Sequence, residues 1–243
     1  MLILSGFAFF PAKAQTPQPA QIQPPAASPA APIPPKPVRT LILLDPAHGG
    51  PDTGAHLSGN AVEKDITLAF NNRLRALLTT ANFAVISTRT ADPGVLFTTD
   101  QRAEIANHDH PAVCLILHAT SSGSGIHLFT SALTPPSASA HPSHVLHWDT
   151  AQTSSIPASR SLANEIGAAL LNAKLPVILG QASVPPIDNL TCPAIAIELA
   201  PLPGSDTKPT PVTNTDYQQH AAEAIAAALI GWRSKTTGDG AAQ

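Results

Sequence analysis

A chain of 243 residues has room for one domain with tails, or for two small domains. Hydrophobic residues make up 43% of it and charged residues 12%, with a formal net charge of −3. That balance permits a real core and excludes a partner held by long-range charge, because there is no basic footprint for nucleic acid or an anionic membrane.

The chain opens with a short apolar run, Leu2 to Phe10, followed by Ala12-Lys13-Ala14, the small-x-small pattern that signal peptidase reads. The run is too short to span a bilayer. Residues 1–14 are therefore expected to be an export signal. The competing reading is a frayed apolar terminus, since no basic stretch precedes the run. Residues 15–38 are almost entirely Pro, Ala, Gln and Ser, a composition that cannot bury a core and reads as a linker. A folded domain is expected over 39–233, with 234–243 a disordered tail.

Val38 to Leu44 is a continuous apolar run of strand length ended by Asp45-Pro46. Ile66, Phe70, Leu74, Leu77, Leu78 and Ala81 then recur three or four apart, predicting a helix from Lys64 to Ala81. Phe83 to Thr88 reads as a second strand. Thr98 and Gln101 have the spacing of a capping box, opening a helix through Asn107. Ala112 to His118 is apolar almost throughout, as a strand covered on both faces would be. A fourth strand is expected over Gly125 to Thr130. Ser131 to Pro157, rich in Pro, Ser and His, reads as a long loop. A helix follows over Ser159 to Lys174, a buried strand over Pro193 to Leu199, and a closing helix over Tyr217 to Trp232. Alternating strands and helices predict a single α/β domain: a mostly parallel, twisted sheet with helices on both faces.

Cys114 and Cys192 are the only cysteines. Each lies in or beside an apolar run, so the default reading is a small buried hydrophobe. A single bridge in an oxidising compartment is the alternative.

Four ionisable residues sit at or just beyond apolar elements. His48 follows the first strand, Glu63 stands before the first helix, His118 closes the third strand and Glu198 lies near the end of the late strand. In an open α/β sheet, functional groups collect at the carboxyl ends of strands. Two imidazoles and a carboxylate form a standard zinc set with one position left for water, and a further carboxylate nearby could move protons. The bland alternatives are a histidine capping backbone groups and a glutamate meeting a helix dipole. No local motif such as His-Glu-x-x-His decides between them.

Laid along the chain, the segments Leu44-Asp-Pro-Ala-His-Gly-Gly-Pro-Asp-Thr-Gly-Ala55, Glu63-Lys64-Asp65, Thr88-Arg89, Arg102 with Ala106-Asn107, His118-Ala119-Thr120 and Pro193-Ala-Ile-Ala-Ile-Glu198 resemble the zinc-dependent N-acetylmuramoyl-L-alanine amidase family of bacterial cell-wall enzymes. The resemblance runs from about Arg39 to Trp232. It implies hydrolysis of the amide between N-acetylmuramic acid and L-alanine in peptidoglycan. One Zn²⁺ per chain would be held by His48, Glu63 and His118, with Glu198 as general base and acid. It implies an exported protein, periplasmic or associated with the cell wall. Peptidoglycan would be the partner, with no nucleic acid, no membrane contact beyond the export signal, and room for a protein activator. The other readings are a related zinc hydrolase with a different amide substrate, and a wall-binding or regulatory relative without turnover.

The chain departs from the family pattern at several points. Ala47 replaces a glycine before the first ligand, at a cost of about 1 kcal/mol if that backbone needs a positive φ. Thr120 replaces an asparagine. Leu199 to Ser205 replaces a loop that would help line the cleft. His127 occupies a strand position where the family often has glutamate, and an ordinary strand histidine is the simpler reading. His141, His144 and His147 recur every third residue, and their Pro/Ser-rich setting predicts a solvated loop rather than a second metal site.

Overall fold

The computed structural model describes residues 39–135, 147–204 and 208–238. The expected export signal and linker lie outside the described residues, as do His141 and His144. The described residues all belong to one compact unit.

Six strands form, the five expected and one more at Val177: β1 (Leu41–Pro46), β2 (Ala84–Ser87), β3 (Val113–Ala119), β4 (Ile126–Ser131), β5 (Val177–Ala182) and β6 (Ala194–Leu199). Four longer helices, α1 (Glu63–Thr80), α2 (Thr99–Asp109), α3 (Ile156–Asn172) and α4 (Thr215–Gly238), connect and cover them. The sheet order is β2-β1-β3-β6-β4-β5, parallel throughout except that β4 runs antiparallel to β6. Among the described residues, no helix is long and apolar enough to cross a membrane.

The pleat sorts side chains to two faces. Ile42, Leu44, Leu115, Leu117, Ile195 and Ile197 pack against α1, α3 and α4. Their neighbours Leu43, Cys114, Ile116, Ala194 and Ala196 pack on the other face against Ala103 and Ala106 of α2 and a short helical turn at Ile187–Asn189. Burial on both faces is why the central strands read as unbroken apolar runs rather than alternating ones. On α1 the buried positions Ile66, Phe70, Leu74 and Leu78 fall on one stripe. The capping box forms: Thr98 Oγ1 accepts the Gln101 amide, and the Gln101 side chain accepts the Thr98 amide at 2.9 Å.

Three expectations need correcting. Ser131 to Pro157 is not all loop: outside the undescribed 136–146, Trp148–Ser155 forms 3-10 turns that run directly into α3, which starts at Ile156 rather than Ser159. The last helix does not stop near Trp232 but continues through Gly238, and residues 239–243 of the expected tail lie outside the described residues. The cysteines are not independent hydrophobes: Cys114 and Cys192 form a disulfide, closing 78 residues of chain. The bond forms because β3 and β6 are neighbours, with Cys114 opposite Ala194.

Cross-linking a loop of this length restricts the unfolded chain, and loss of a native bridge typically costs about 2–5 kcal/mol. A Cys114→Ser, Cys192→Ser double variant is expected to unfold in urea with a midpoint lowered to match, and the wild type to behave like it once reduced. Equal midpoints in oxidised and reduced wild type would contradict this.

Candidate metal centre

At the end of β1 the chain reverses through three residues with positive φ: His48 at 64°, Gly49 at 132° and Gly50 at 62°. The strain expected at Ala47 is absent, because Ala47 is not among the positive-φ residues. It falls on His48 itself, where a side chain in the left-handed region costs about 1–2 kcal/mol. Two buried arginines hold the turn in place. Arg89 Nε donates to the Pro46 carbonyl and Nη2 to that of Ala47, both at 2.9 Å, and Nη2 also reaches the Lys64 carbonyl at 2.7 Å. Arg102 pairs with buried Asp45 at 2.6 Å and donates to the His48 carbonyl at 2.6 Å. Neither arginine acts as a simple charge. Each uses its planar fork to collect carbonyls that the departing strand leaves unpaired.

On the outer side, Lys64 Nζ bonds the Gly50 carbonyl at 2.8 Å and Asp92 Oδ2 at 2.6 Å, while Asp92 also accepts the Gly50 amide. Lys64 and that amide hold the Asp92 carboxyl down, at about 2.

Glu63, the first residue of α1, is 5% exposed. Its Oε1 lies 2.8 Å from His118 Nδ1 and accepts the Ala119 amide at 3.1 Å. Its Oε2 lies 3.1 Å from His48 Nε2 and accepts the Ala55 amide at 2.9 Å. Burial alone would push this carboxyl up. The bonds from His118, His48 and Ala55 outweigh it and keep Glu63 far below the usual carboxylate range. The same contact with Glu63 raises His48 against the lowering effect of burial. On the far side of the ring, His48 Nδ1 meets Asp52 Oδ2 at 2.9 Å, and Asp52 accepts the Gly54 amide at 3.1 Å. A carboxylate on the second ring nitrogen is the usual way a ligating histidine is oriented.

One donor atom from each of His48, Glu63 and His118 falls within 4.8 Å of the others, close enough to share a metal ion. His118 Nε2, the ring nitrogen not bonded to Glu63, is buried without a hydrogen-bond partner among the described residues, and a buried orphan of this kind calls for an explanation such as an ion or water. Together with a donor set of two imidazoles and a carboxylate, this fits a metal of the zinc type. A cavity of about 300 Å³ opens over the cluster, walled by His48, Asp52, Phe97, Arg102, His118 and Pro186 among others.

Glu198 comes to the same edge. In the sheet register it lies directly beside His118 of β3 on one side and His127 of β4 on the other. His127 is thus no ordinary strand histidine: its Nδ1 lies 3.4 Å from Glu198 Oε1. The sequence held a clue in a polar residue at the head of an apolar strand, but which strand would lie opposite was not readable. His147 precedes the Trp148 turns and does not join the cluster.

A model of the N-acetylmuramoyl-L-alanine amidase family matches residues 42–231. The chain belongs to this family. Among characterised members, it is 48% identical over 52 residues to the germination-specific N-acetylmuramoyl-L-alanine amidase of Bacillus subtilis, 21% of this chain and 22% of that one. It is 35% identical over 81 residues to the amidase AmiA of Salmonella typhimurium, 33% of this chain and 27% of that one. These matches span about a quarter of each relative's length. Among solved structures it shares the fold of AmiC2 of Nostoc punctiforme, with a TM-score of 0.59 at 21% identity over 80% of this chain and 97% of that one. CwlD from Clostridioides difficile, solved in complex with the GerS lipoprotein, gives 0.58 at 20% identity over 81% and 99%.

Two of the departures from the family pattern have local explanations. Thr120 Oγ1 accepts the Ser122 amide at 3.1 Å, closing a turn of its own. After Glu198, Leu199 and Ala200 are buried instead of lining a cleft, and Tyr217 Oη donates its one hydrogen to the Ala200 carbonyl at 2.8 Å, with the Gly125 carbonyl at 3.2 Å sharing it.

Gly54 lies where His48 and Glu63 approach each other. Its φ is +64°, and a Cβ there would meet His48 Cδ2 at 2.5 Å and Glu63 Oε2 at 2.7 Å. Gly54→Ala therefore pushes directly on two members of the cluster. It is expected to weaken metal binding by about ten- to a hundred-fold, the scale seen when support around ligands is lost. Metal titration calorimetry would check this; an affinity equal to wild type would mean the close approach is not needed.

Proposed function

We propose that this chain hydrolyses the amide bond between N-acetylmuramic acid and L-alanine in peptidoglycan, with one zinc held by His48, Glu63 and His118 and with Glu198 moving the proton. The observation that carries the reading is the convergence of those three donors within 4.8 Å in a chain of the amidase family.

The chemistry a bound zinc supplies is Lewis acidity: it polarises an amide carbonyl and makes water more acidic. The chain's own residues do the rest. Asp52 fixes the ring of His48, so that Nδ1 is engaged and Nε2 faces the cluster. Glu63 is kept ionised by two imidazoles and two backbone amides. Glu198 takes a proton from the attacking water and later gives it to the departing nitrogen, so L-alanine leaves as a free amine. Arg89 and Arg102 keep the His48 turn from relaxing during the cycle.

We also infer an exported protein, periplasmic or associated with the wall. The Cys114–Cys192 bond supports this, because such bonds persist in oxidising compartments and are rare where glutathione keeps thiols reduced. A protein partner is consistent with the CwlD–GerS complex of one structural relative.

Metal content and release of soluble stem peptides from purified peptidoglycan, with and without a chelator, test the proposal. The expected outcome is about one zinc per chain and chelator-sensitive release of peptides with a free L-alanine amine. Bound zinc without release would sink the assigned substrate. Glu198→Gln is expected to retain zinc while turnover falls by about 10²- to 10⁴-fold, the usual contribution of a proton-transferring group. Near-normal turnover in that variant would remove Glu198 from the mechanism.

A further inference from the structure

Beside the cluster of His48, Glu63 and His118, but not part of it, stands a third imidazole that the proposed mechanism does not use. We propose that His127 is the positioning residue of Glu198, anchoring one carboxyl oxygen so that the other is presented for proton transfer. The proposal rests on the reading of Glu198 as general base.

The ring of His127 is gripped at both nitrogens. Nε2 lies 3.2 Å from the Ser124 carbonyl, and Nδ1 lies 3.4 Å from Glu198 Oε1. A carbonyl oxygen can only accept, so Nε2 must carry a hydrogen. A bare Nδ1 would then set its lone pair against those of an ionised carboxylate. The proposed pairing places a hydrogen between Nδ1 and Oε1. The side chains are 13% and 28% exposed, so both are partly shielded from water.

The backbone is shaped to receive the ring. Gly123 has φ +77°, and a Cβ there would lie 2.8 Å from His127 Cε1 and 3.2 Å from Nε2. Phe129 presents its ring edge-on to that of His127, with centroids 6.2 Å apart. The register does the remainder, because Glu198 is aligned with His127 across one strand boundary and with His118 across the other. With Oε1 tied to His127, rotation of the carboxyl is restricted and Oε2 is the oxygen left for the reacting proton. Holding a reacting group in one orientation is a recognised source of rate.

Two substitutions separate positioning from simple bracing. In His127→Asn the side-chain amide sits near the place of Nδ1 and can still donate to Glu198. In His127→Gln it reaches the place of Nε2 and can only brace Ser124. The expected result is a kcat within a few-fold of wild type for Asn, and about ten- to a hundred-fold lower for Gln with KM and metal content unchanged, the scale of lost outer-shell support. The reverse order would overturn the proposal. Imidazole ¹⁵N spectra, with the His127 signals assigned by their loss in His127→Asn, give a second readout that needs no turnover. Nε2 is expected to be protonated, and Nδ1 to shift in Glu198→Gln. A bare Nε2, or an Nδ1 unmoved by Glu198→Gln, would overturn the proposal as well. A protein that shows the Nδ1 shift yet releases no peptide would refute the amidase reading and leave the pairing intact.

Discussion

A single buried carboxylate draws three distant stretches of this chain together. Glu63 is removed from water at the head of α1, which would be costly for an ionised group left alone. It is compensated by His48 from the end of β1, His118 from the end of β3, and the amides of Ala55 and Ala119. Each donor comes from a segment whose own path is set by the sheet. The geometry of the cluster is therefore as rigid as the parallel pairing of β1 with β3, and as the packing of α1 over both.

That arrangement needs a turn that the backbone does not favour. His48 sits in a left-handed conformation, and the cost is offset by Arg89, just past β2, and Arg102, in the first turn of α2, which bond the carbonyls of Pro46, Ala47 and His48. The arginines touch the backbone of the site rather than its side chains. Their influence on the metal centre is one of orientation, transmitted through two or three peptide units. Gly54 completes the design by leaving the space in which His48 and Glu63 approach each other.

How much of this could be read in advance followed from how local each signal was. β1, β3 and β6 stand out as apolar runs because both of their faces are covered, and α2 announces itself through Thr98 and Gln101. The positions of His48, Glu63, His118 and Glu198 at element ends were visible, though their convergence came from resemblance to a family and not from spacing. β5 was not foreseen: it lies at the sheet edge, leaves Ile178 and Leu179 about half exposed, and carries Gly180, so neither alternation nor a solid run marks it. The disulfide and the contact of His127 with Glu198 were hidden for one shared reason. Both depend on β6 lying between β3 and β4, a fact of strand order that no stretch of residues encodes alone.

That strand order has a consequence for how the molecule is made. β6 is the last strand in the chain but sits in the interior of the sheet, and β4 and β5 join the rest only through it. A nascent or translocating chain delivered N-terminus first therefore holds β3 with one bare edge, and the β4–β5 pair without a dock, until residue 199 is free. Unpaired edges of this kind invite pairing with other chains. The sheet closes late, and the cysteine bridge belongs to the same stage, since Cys192 arrives just ahead of the strand that completes it.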